Sequence, residues 1–406
     1  MKKISMKARN EVIERHKKNY RKSTKKEKQF IINNVCESTG LSRDRAARLL
    51  RCPIKICKSK SKKRNQGRKK YYDKETVDAL EKLWKILDFA CGKRLKEAIP
   101  GMIEALERHN EIIFKQTIKE KLLKMSPATI DRLLKPVKTG LAFKGKSTTK
   151  PGTLLKRNIP LRLGNEWDDA IPGFVEIDLV AHCGDTTAGD YVNTLDVTDI
   201  STGWTETRAV LNKSQKHVFN GLMVIKLKLP FPYRGIDSDN GHEFINEHLL
   251  RYCVTNKICF TRSRPHKSND NCHVEQKNWV TIRRNIGYDR FEGKKAVDIL
   301  NAYYDQLRFY TNFFLPQTKL ISREKVNSKV IKKYEKPKTP YQRVLESEHI
   351  NDKIKKQLTD QFLSLNPVSI KKDMVKTLEI LKAQAIPWGE YSKLHKRNTN
   401  NKFLFT

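Results

Sequence analysis

The sequence predicts an α/β core between basic, mainly helical regions. Five short apolar or alternating segments between residues 174 and 263 are separated by patterns of helical period, an order typical of a mixed sheet with flanking helices. The 83 Lys and Arg residues outnumber the 45 Asp and Glu residues, which gives a formal charge of +38. Residues 1–70 have 25 basic and 5 acidic side chains, whereas residues 169–325 have 21 and 19. Basic arms around a nearly neutral core favour a polyanionic partner, usually nucleic acid.

Length and composition exclude several classes of protein. The 406 residues suffice for several domains of about 150 residues each, and 38% of them are hydrophobic, which argues against wholesale disorder. No run approaches the roughly 18 consecutive apolar residues of a membrane span, and the basic N-terminus lacks an apolar signal sequence. The eight cysteines form no dense disulfide framework, as expected in a reducing compartment. We therefore expect a cytoplasmic, nucleoid-associated protein without a membrane partner.

Residues 24–50 have the pattern of a helix-turn-helix motif. Apolar residues at helical spacing define two helices, Thr39-Gly40 marks the turn, and Ser42 can cap the second helix. Such a motif binds DNA through its second helix, although an ordinary helical hairpin with a solvated basic face is the alternative. Four arginines of the second helix are the expected contacts to DNA: Arg43, Arg45, Arg48 and Arg51.

Residues 71–136 are also helical, with Ser126 and Pro127 at the start of the last helix. They form either a second recognition module or a plain three-helix bundle. The C-terminal residues 339–385 predict two or three short helices broken at Asn366-Pro367. The predicted organisation is a helix-turn-helix module (1–57), a basic linker (58–70), a second helical, helix-turn-helix-like module (71–143), a linker (144–168), the α/β core (169–325) and a basic helical C-terminal region (326–406).

The predicted core elements follow one another without long gaps. Alternation and apolar runs indicate strands, and 3.6-residue periodicity indicates helices. The expected strands are 174–180, 190–200, 204–211, 233–238 and 258–263, and the expected helices are 214–229, 242–254, 273–286 and 296–314.

Three acidic residues stand at informative places in this core. Asp178 lies inside the apolar run FVEIDLV, where an ionised carboxylate is costly unless it is paired or bound to a metal. Asp239 ends the fourth strand at an Asn-Gly turn, and Glu275 begins a helix after 35 intervening residues. Convergent carboxylates can hold two Mg²⁺ ions, which suits phosphodiester chemistry. Taken alone, Glu275 is better explained as a solvated helix charge.

Other polar residues lie near these acids. Asp237 and Glu243 are alternative acids close to Asp239. The pairs His182-Cys183 and Cys272-His273 would bind zinc only if the fold brought them together, so no zinc site is expected. Six residues of the adjoining loop and helix either contact DNA or are solvated charges: His266, Lys267, Asn271, Lys277, Arg283 and Arg284.

Three sequence stretches together resemble the integrase-type catalytic core of DDE transposases and retroviral integrases: VEIDLV around Asp178, IDSDNGHEF around Asp239 and SRPHKSNDNCHVEQKNW around Glu275. The resemblance covers roughly residues 170–325, and the flanking regions suit transposases of bacterial insertion sequences. It implies an RNase H-like fold with Asp178, Asp239 and Glu275 as catalytic metal ligands for two Mg²⁺ ions, which Mn²⁺ can replace. It also favours Asp239 over Asp237, because the family motif places its aspartate immediately before such a turn.

The activity implied by this resemblance is that of a DNA transposase. Such an enzyme binds the terminal repeats of its element, cleaves a DNA 3′ end with Mg²⁺ and joins that end to target DNA. A homodimer or higher homo-oligomer on DNA is the expected assembly. The alternatives are a catalytically inactive DNA-binding regulator that retains the fold, and an RNase H-like nuclease that does not join strands.

Overall fold

The computed structural model describes residues 5–52, 71–138, 171–239, 241, 243–244, 247–262, 274, 277–326 and 329–391. The chain divides into two compact units, Met1–Tyr71 and Tyr72–Thr406. No helix among the described residues is both long and apolar enough to cross a membrane.

Residues 5–52 of the first unit form three helices, α1 (Met6–Lys22), α2 (Lys25–Thr39) and α3 (Arg43–Arg51). Helix α2 ends at Gly40, whose left-handed backbone (φ 67°) lets its N–H donate to the Cys36 carbonyl. Val35, Ala46 and Leu50 are fully buried between the helices. The two helices and the glycine turn that the sequence predicts are therefore present.

The second unit begins with a helical bundle. Its helices are α4 (Lys74–Ile86), α5 (Gly92–Arg108), α6 (Gln116–Lys124) and α7 (Pro127–Lys138). Leu83, Trp84 and Ile99 lie in the core of this bundle, which continues into the core of the C-terminal helices. Helix α7 starts at Pro127, as predicted, and Ser126 caps it by accepting from the Thr129 N–H.

In the described part of the second unit, five strands form a mixed sheet. They are β1 (Phe174–Ala181), β2 (Asn193–Asp199), β3 (Thr205–Val210), β4 (Gly235–Ser238) and β5 (Cys259–Arg262), in the order β3-β2-β1-β4-β5. Strands β1, β2 and β3 pair antiparallel, whereas β4 and β5 run parallel to β1. The flanking helices α8 (Gln215–Lys226) and α9 (Glu247–Thr255) complete this layer. The sheet confirms the predicted mixed five-stranded α/β core and fits an RNase H-like fold.

The two faces of the sheet differ in character because side chains alternate along each strand. Val175, Ile177 and Leu195 point to one face and pack with Val218 and Leu222 of α8. The opposite face carries carboxylates and hydroxyls, among them Glu176, Asp178, Asp196 and Asp237. This polar face holds the candidate site.

The remaining elements follow the sheet. They are π-helix π1 (Asn278–Arg283), α10 (Arg284–Ile286), α11 (Gly293–Phe309), π-helix π2 (Tyr310–Phe314), the hairpin β6 (Leu320–Val326) and β7 (Lys329–Tyr334), and helices α12 (Pro340–Glu346), α13 (Asp352–Ser364) and α14 (Pro367–Lys382). The C-terminal helices break at Asn366-Pro367, as predicted. The hairpin was not predicted, and the described helix within the range expected at 242–254 is Glu247–Thr255.

Candidate active site

Asp178 and Asp239 lie side by side on neighbouring parallel strands. The register between β1 and β4 pairs Glu176 with Asp237 and Ile177 with Ser238, so the next position pairs Asp178 with Asp239. Residues paired in register point to the same face, and neighbouring strands are about 4.8 Å apart. Both carboxylates therefore project from the polar face, and Asp239 directly follows the end of β4.

The Asp178 carboxylate is half-buried and oriented by two donors. Its Oδ1 accepts from the Leu179 N–H at 2.8 Å, and its Oδ2 accepts from the Asn278 amide at 2.6 Å. The Val274 N–H donates to Glu176 Oε2 at 3.1 Å on the same strand. The helical segment that follows Glu275 in the sequence is thereby attached to β1. Glu275 itself lies outside the described residues, as do His266, Lys267 and Asn271.

The Asp239 carboxylate sits in a tight turn. Its Oδ1 accepts from the Gly241 N–H at 2.8 Å. A Cβ at Gly241 would lie 2.6 Å from the carboxyl carbon of Glu243, so a larger residue here would displace the end of the Glu243 side chain. Burial raises the pKa of Asp239 to about 6, and the negative charge of Glu243 acts in the same direction. A cation beside Asp239 would favour its ionised form.

The alternative acid, Asp237, has a structural contact. It is fully buried, and its Oδ1 accepts from the Thr261 hydroxyl of β5. This hydrogen bond joins the side chains of two paired strands. Asp237 therefore lies within β4 on the polar face and is bonded to β5, whereas Asp239 follows the end of the strand.

Asp196 is an acid that the sequence reasoning missed. It lies directly opposite Asp178 on β2 and is fully buried, and neither of its oxygens has a hydrogen-bond partner in the described part of the chain. Burial and the charge of Asp178 raise its pKa well above the usual range, while Lys277 opposes the shift. Only the pairing of β1 with β2, which alternation alone does not reveal, makes Asp196 a neighbour of Asp178.

Three predicted DNA contacts of the core are half-buried and engage the protein. Lys277 Nζ donates to the Gly203 carbonyl at 3.3 Å, and burial lowers the Lys277 pKa to about 7. Arg283 donates to the Ala181 carbonyl at 2.8 Å, and Arg284 forms an ion pair of 3.2 Å with Asp88. A contact between any of these side chains and DNA stays a prediction.

The predicted recognition helix α3 exposes all four of its predicted contacts. Arg43 donates to the Asn33 side chain at 2.7 Å. The buried residues Ala46 and Leu50 lie on the other side of α3. The exposed arginines are Arg43, Arg45, Arg48 and Arg51.

The described residues contain no group of three His, Cys, Asp or Glu side chains placed to hold a metal ion. Of the two His-Cys pairs, only His182-Cys183 falls within the described range. His182 is fully buried, its Nε2 contacts the Thr194 hydroxyl at 2.7 Å, and burial lowers its pKa to about 3. It is a neutral core histidine.

A curated relative covers most of the chain. Protein y4rM of Sinorhizobium fredii (strain NBRC 101917 / NGR234), described as uncharacterized, is 36% identical over 345 residues, which is 84% of this chain and 96% of that protein. The chain belongs to the y4rM family. No protein-family model matches it. The similarity to y4rM extends well beyond the sheet, but the description of y4rM names no activity.

Two solved structures also show a likeness. The HTLV-2 integrase catalytic core domain in complex with magnesium, in its dimeric form, is 13% identical, with a TM-score of 0.29 over 37% of this chain and 93% of that chain. The trimeric form is 16% identical, with a TM-score of 0.26 over 35% and 87%. At this level of similarity the chemistry of this y4rM-family member depends on its own residues.

Proposed function

We propose that this protein is a DNA transposase of the DDE type, which cleaves the 3′ ends of its element and joins them to target DNA. The observation that supports the proposal is the position of Asp178 on β1 and of Asp239 directly after β4, the parallel neighbour of β1. The helical segment after Glu275 is attached to the same strand through Asn278. This arrangement agrees with the sequence resemblance, which assigns catalysis to Asp178, Asp239 and Glu275.

The donor set fits a divalent cation. Two carboxylates on neighbouring strands repel each other unless a cation or a proton compensates them, and Mg²⁺ prefers a few carboxylates completed by water and phosphate oxygens. Asp178, Asp239 and Glu275 would hold the ions. When bound, two such ions activate an attacking oxygen and stabilise a leaving oxygen at phosphorus.

The chain orients these ligands itself. The Asn278 amide and the Leu179 N–H fix both oxygens of Asp178, and the Gly241 N–H fixes Oδ1 of Asp239. Carboxylates held in this way need little rearrangement when substrate arrives. Asn278 and Gly241 are therefore positioning residues for the two metal ligands.

DNA binding is assigned to the first unit and to the basic arms. Helix α3 exposes four arginines, and a glycine turn precedes it, which supports the helix-turn-helix interpretation. Phosphate contacts by such residues supply most of the sequence-independent affinity for DNA. The substrates are the terminal repeats and the target DNA, bound by a homodimer or a larger assembly at the nucleoid.

A strand-transfer assay tests the proposal. Labelled duplexes with the ends of the DNA element that encodes the chain are mixed with supercoiled plasmid and protein, with Mg²⁺, Mn²⁺ or EDTA. We expect joined product that requires the metal and is lost in Asp239→Asn and Glu275→Gln. Asp298→Asn, which changes an exposed aspartate of α11, is the matched control and should join normally.

The other outcomes identify the alternatives. Sequence-specific binding without nicking or joining would indicate a regulator that retains the fold. Metal-dependent cleavage without joining would indicate a nuclease. Joining that persists in Asp239→Asn would refute the assigned site.

A further inference from the structure

A cavity of about 150 Å³ lies in the second unit. Ile200 lines it, and the Ile200 N–H donates to the carbonyl of Phe174, the first residue of β1. Phe174 precedes Asp178 by four residues, or about 13 Å along a strand. One part of the cavity therefore lies near the start of β1, whereas Lys277 of its wall directly precedes Asn278, which bonds Asp178.

Cationic side chains dominate the wall of this cavity. Asp88 is the acidic residue of the lining, and it forms an ion pair of 3.3 Å with Lys371, another lining residue. Arg94 and Lys319 donate to main-chain carbonyls, and Arg343 forms an ion pair with Glu335. The cationic lining residues are Arg94, Lys277, Lys319, Arg343 and Lys371.

Two buried hydroxyls of the wall lack a partner. Thr281 is 4% exposed and Tyr310 is 1% exposed, and neither hydroxyl has a hydrogen-bond partner among the described residues. A buried hydroxyl is costly unless it is hydrogen-bonded. Burial raises the pKa of Tyr310, so its O–H remains a donor at neutral pH. Both residues line the cavity, where a bound acceptor would supply the missing partner of each hydroxyl.

The backbone that carries these hydroxyls is unusual. Thr281 lies in π1 and Tyr310 lies in π2. π-Helical turns are rare and occur frequently at functional sites. The cavity thus combines excess positive charge, two unpartnered donors and two π-helical wall segments.

We propose that this cavity binds a small oxyanion of the phosphate class. The hydroxyls of Thr281 and Tyr310 donate hydrogen bonds to it, and the lining cations supply the compensating charge. Its volume is comparable to that of a cavity that holds one benzene molecule, which is enough for inorganic phosphate, pyrophosphate or the phosphate end of a nucleotide.

The occupant would connect separate parts of the second unit. The wall takes Arg94 from α5, Tyr310 from π2, Arg343 from α12 and Lys371 from α14. A ligand that binds only the folded state stabilises it by mass action. Bound phosphate should therefore raise the unfolding temperature of this unit whether or not the protein is a transposase.

Calorimetric titration and thermal unfolding of the full chain test the proposal, with phosphate, pyrophosphate and ATP compared with chloride at equal ionic strength. The decisive variants are Tyr310→Phe and Tyr303→Phe. Tyr303 is also fully buried with an unpartnered hydroxyl among the described residues, but it is not one of the residues that line the cavity. Both variants remove one hydroxyl and preserve the ring, so both should fold.

We expect saturable binding that Tyr310→Phe weakens about tenfold or more, because the lost hydrogen bond is to a charged acceptor, while Tyr303→Phe binds as wild type does. Thr281→Val should weaken binding in the same way. ATP binding tighter than inorganic phosphate would identify a nucleotide as the source, and the reverse order a free anion. Absence of saturable binding, or equal weakening in both tyrosine variants, would overturn the proposal, since the basic arms also attract anions.

Discussion

Arg290 is a fully buried cation that anchors the loop after β1. Its guanidinium makes five hydrogen bonds, four of them to main-chain carbonyls of this loop. Its Cζ also lies 3.7 Å from the centre of the Tyr391 ring, which adds a cation–π contact. The hydrogen-bond acceptors are Cys183 O (3.0 Å), Thr186 O (3.0 Å), Ala188 O (2.7 Å), Asp190 O (3.1 Å) and Glu292 Oε1 (2.5 Å).

Arg290→Lys keeps the charge but removes the planar fork. A lysine ammonium has three donors, so at least two of the five hydrogen bonds are lost. Each hydrogen bond to a charged group contributes about 1.5–3 kcal/mol. Ala188 and Asp190 are exposed, so water can replace part of the loss at their carbonyls, whereas Cys183 is buried. We expect the second unit to lose about 3 kcal/mol of unfolding free energy.

Urea unfolding followed by tryptophan fluorescence measures this loss. Arg132→Lys, which changes an exposed arginine of α7, is the control and should stay within about 0.5 kcal/mol of wild type. A loss below about 1 kcal/mol in Arg290→Lys would refute the reasoning. Such a small loss would mean that water replaces the hydrogen bonds from Arg290 to the loop carbonyls at little cost in free energy.

Three further predictions concern DNA binding, metal binding and pH. Arg48→Ala should weaken DNA binding and reduce the salt slope of log affinity by about 1, measured by fluorescence anisotropy at several salt concentrations; an unchanged slope would exclude a phosphate contact. Asn278→Leu, which removes a donor to Asp178, should raise the Mg²⁺ concentration for half-maximal DNA cleavage about tenfold at an unchanged unfolding midpoint. Burial raises the pKa of Asp199 to about 6, so its ionisation costs more in the folded than in the unfolded state. The contribution of Asp199 to stability is complete below about pH 4 and is lost as the pH rises towards 6. The difference in unfolding free energy between wild type and Asp199→Asn should therefore change by roughly 3 kcal/mol across this range. A difference that stays constant with pH would contradict the prediction.

The strand positions were readable from the sequence because a sheet with one apolar face imposes alternation. The segment expected at 174–180 is strand Phe174–Ala181, and that expected at 204–211 is Thr205–Val210. The hairpin Leu320–Tyr334 was missed because it packs little into a core: Ile321 is 69% exposed and Tyr334 is 53% exposed. Without burial on one face, the sequence of a hairpin has no apolar alternation to reveal it.

The candidate site was only partly accessible from the sequence. Asp178 and Asp239 could be proposed because an acid in an apolar strand and an acid before a glycine turn are local signals. Their adjacency depends on β1 pairing with β4 rather than with β5, which is a property of the whole chain. For the same reason Asn278 and Asp196 could not be connected with Asp178 in advance.

The polar face of the sheet carries acidic side chains at buried strand positions, where apolar side chains are the rule. Asp178 and Asp196 lie on β1 and β2, and Asp239 directly follows β4; Asp196 is buried without a hydrogen-bond partner among the described residues. Such an arrangement lowers stability through desolvation and like-charge repulsion. Proteins retain destabilising groups mainly where function requires them. A cation held by Asp178 and Asp239 would offset the repulsion at the strand ends, while Lys277, which lowers the pKa of Asp196, offsets it at β2. The stability that these acids cost is thus a physical argument that the polar face carries the active site.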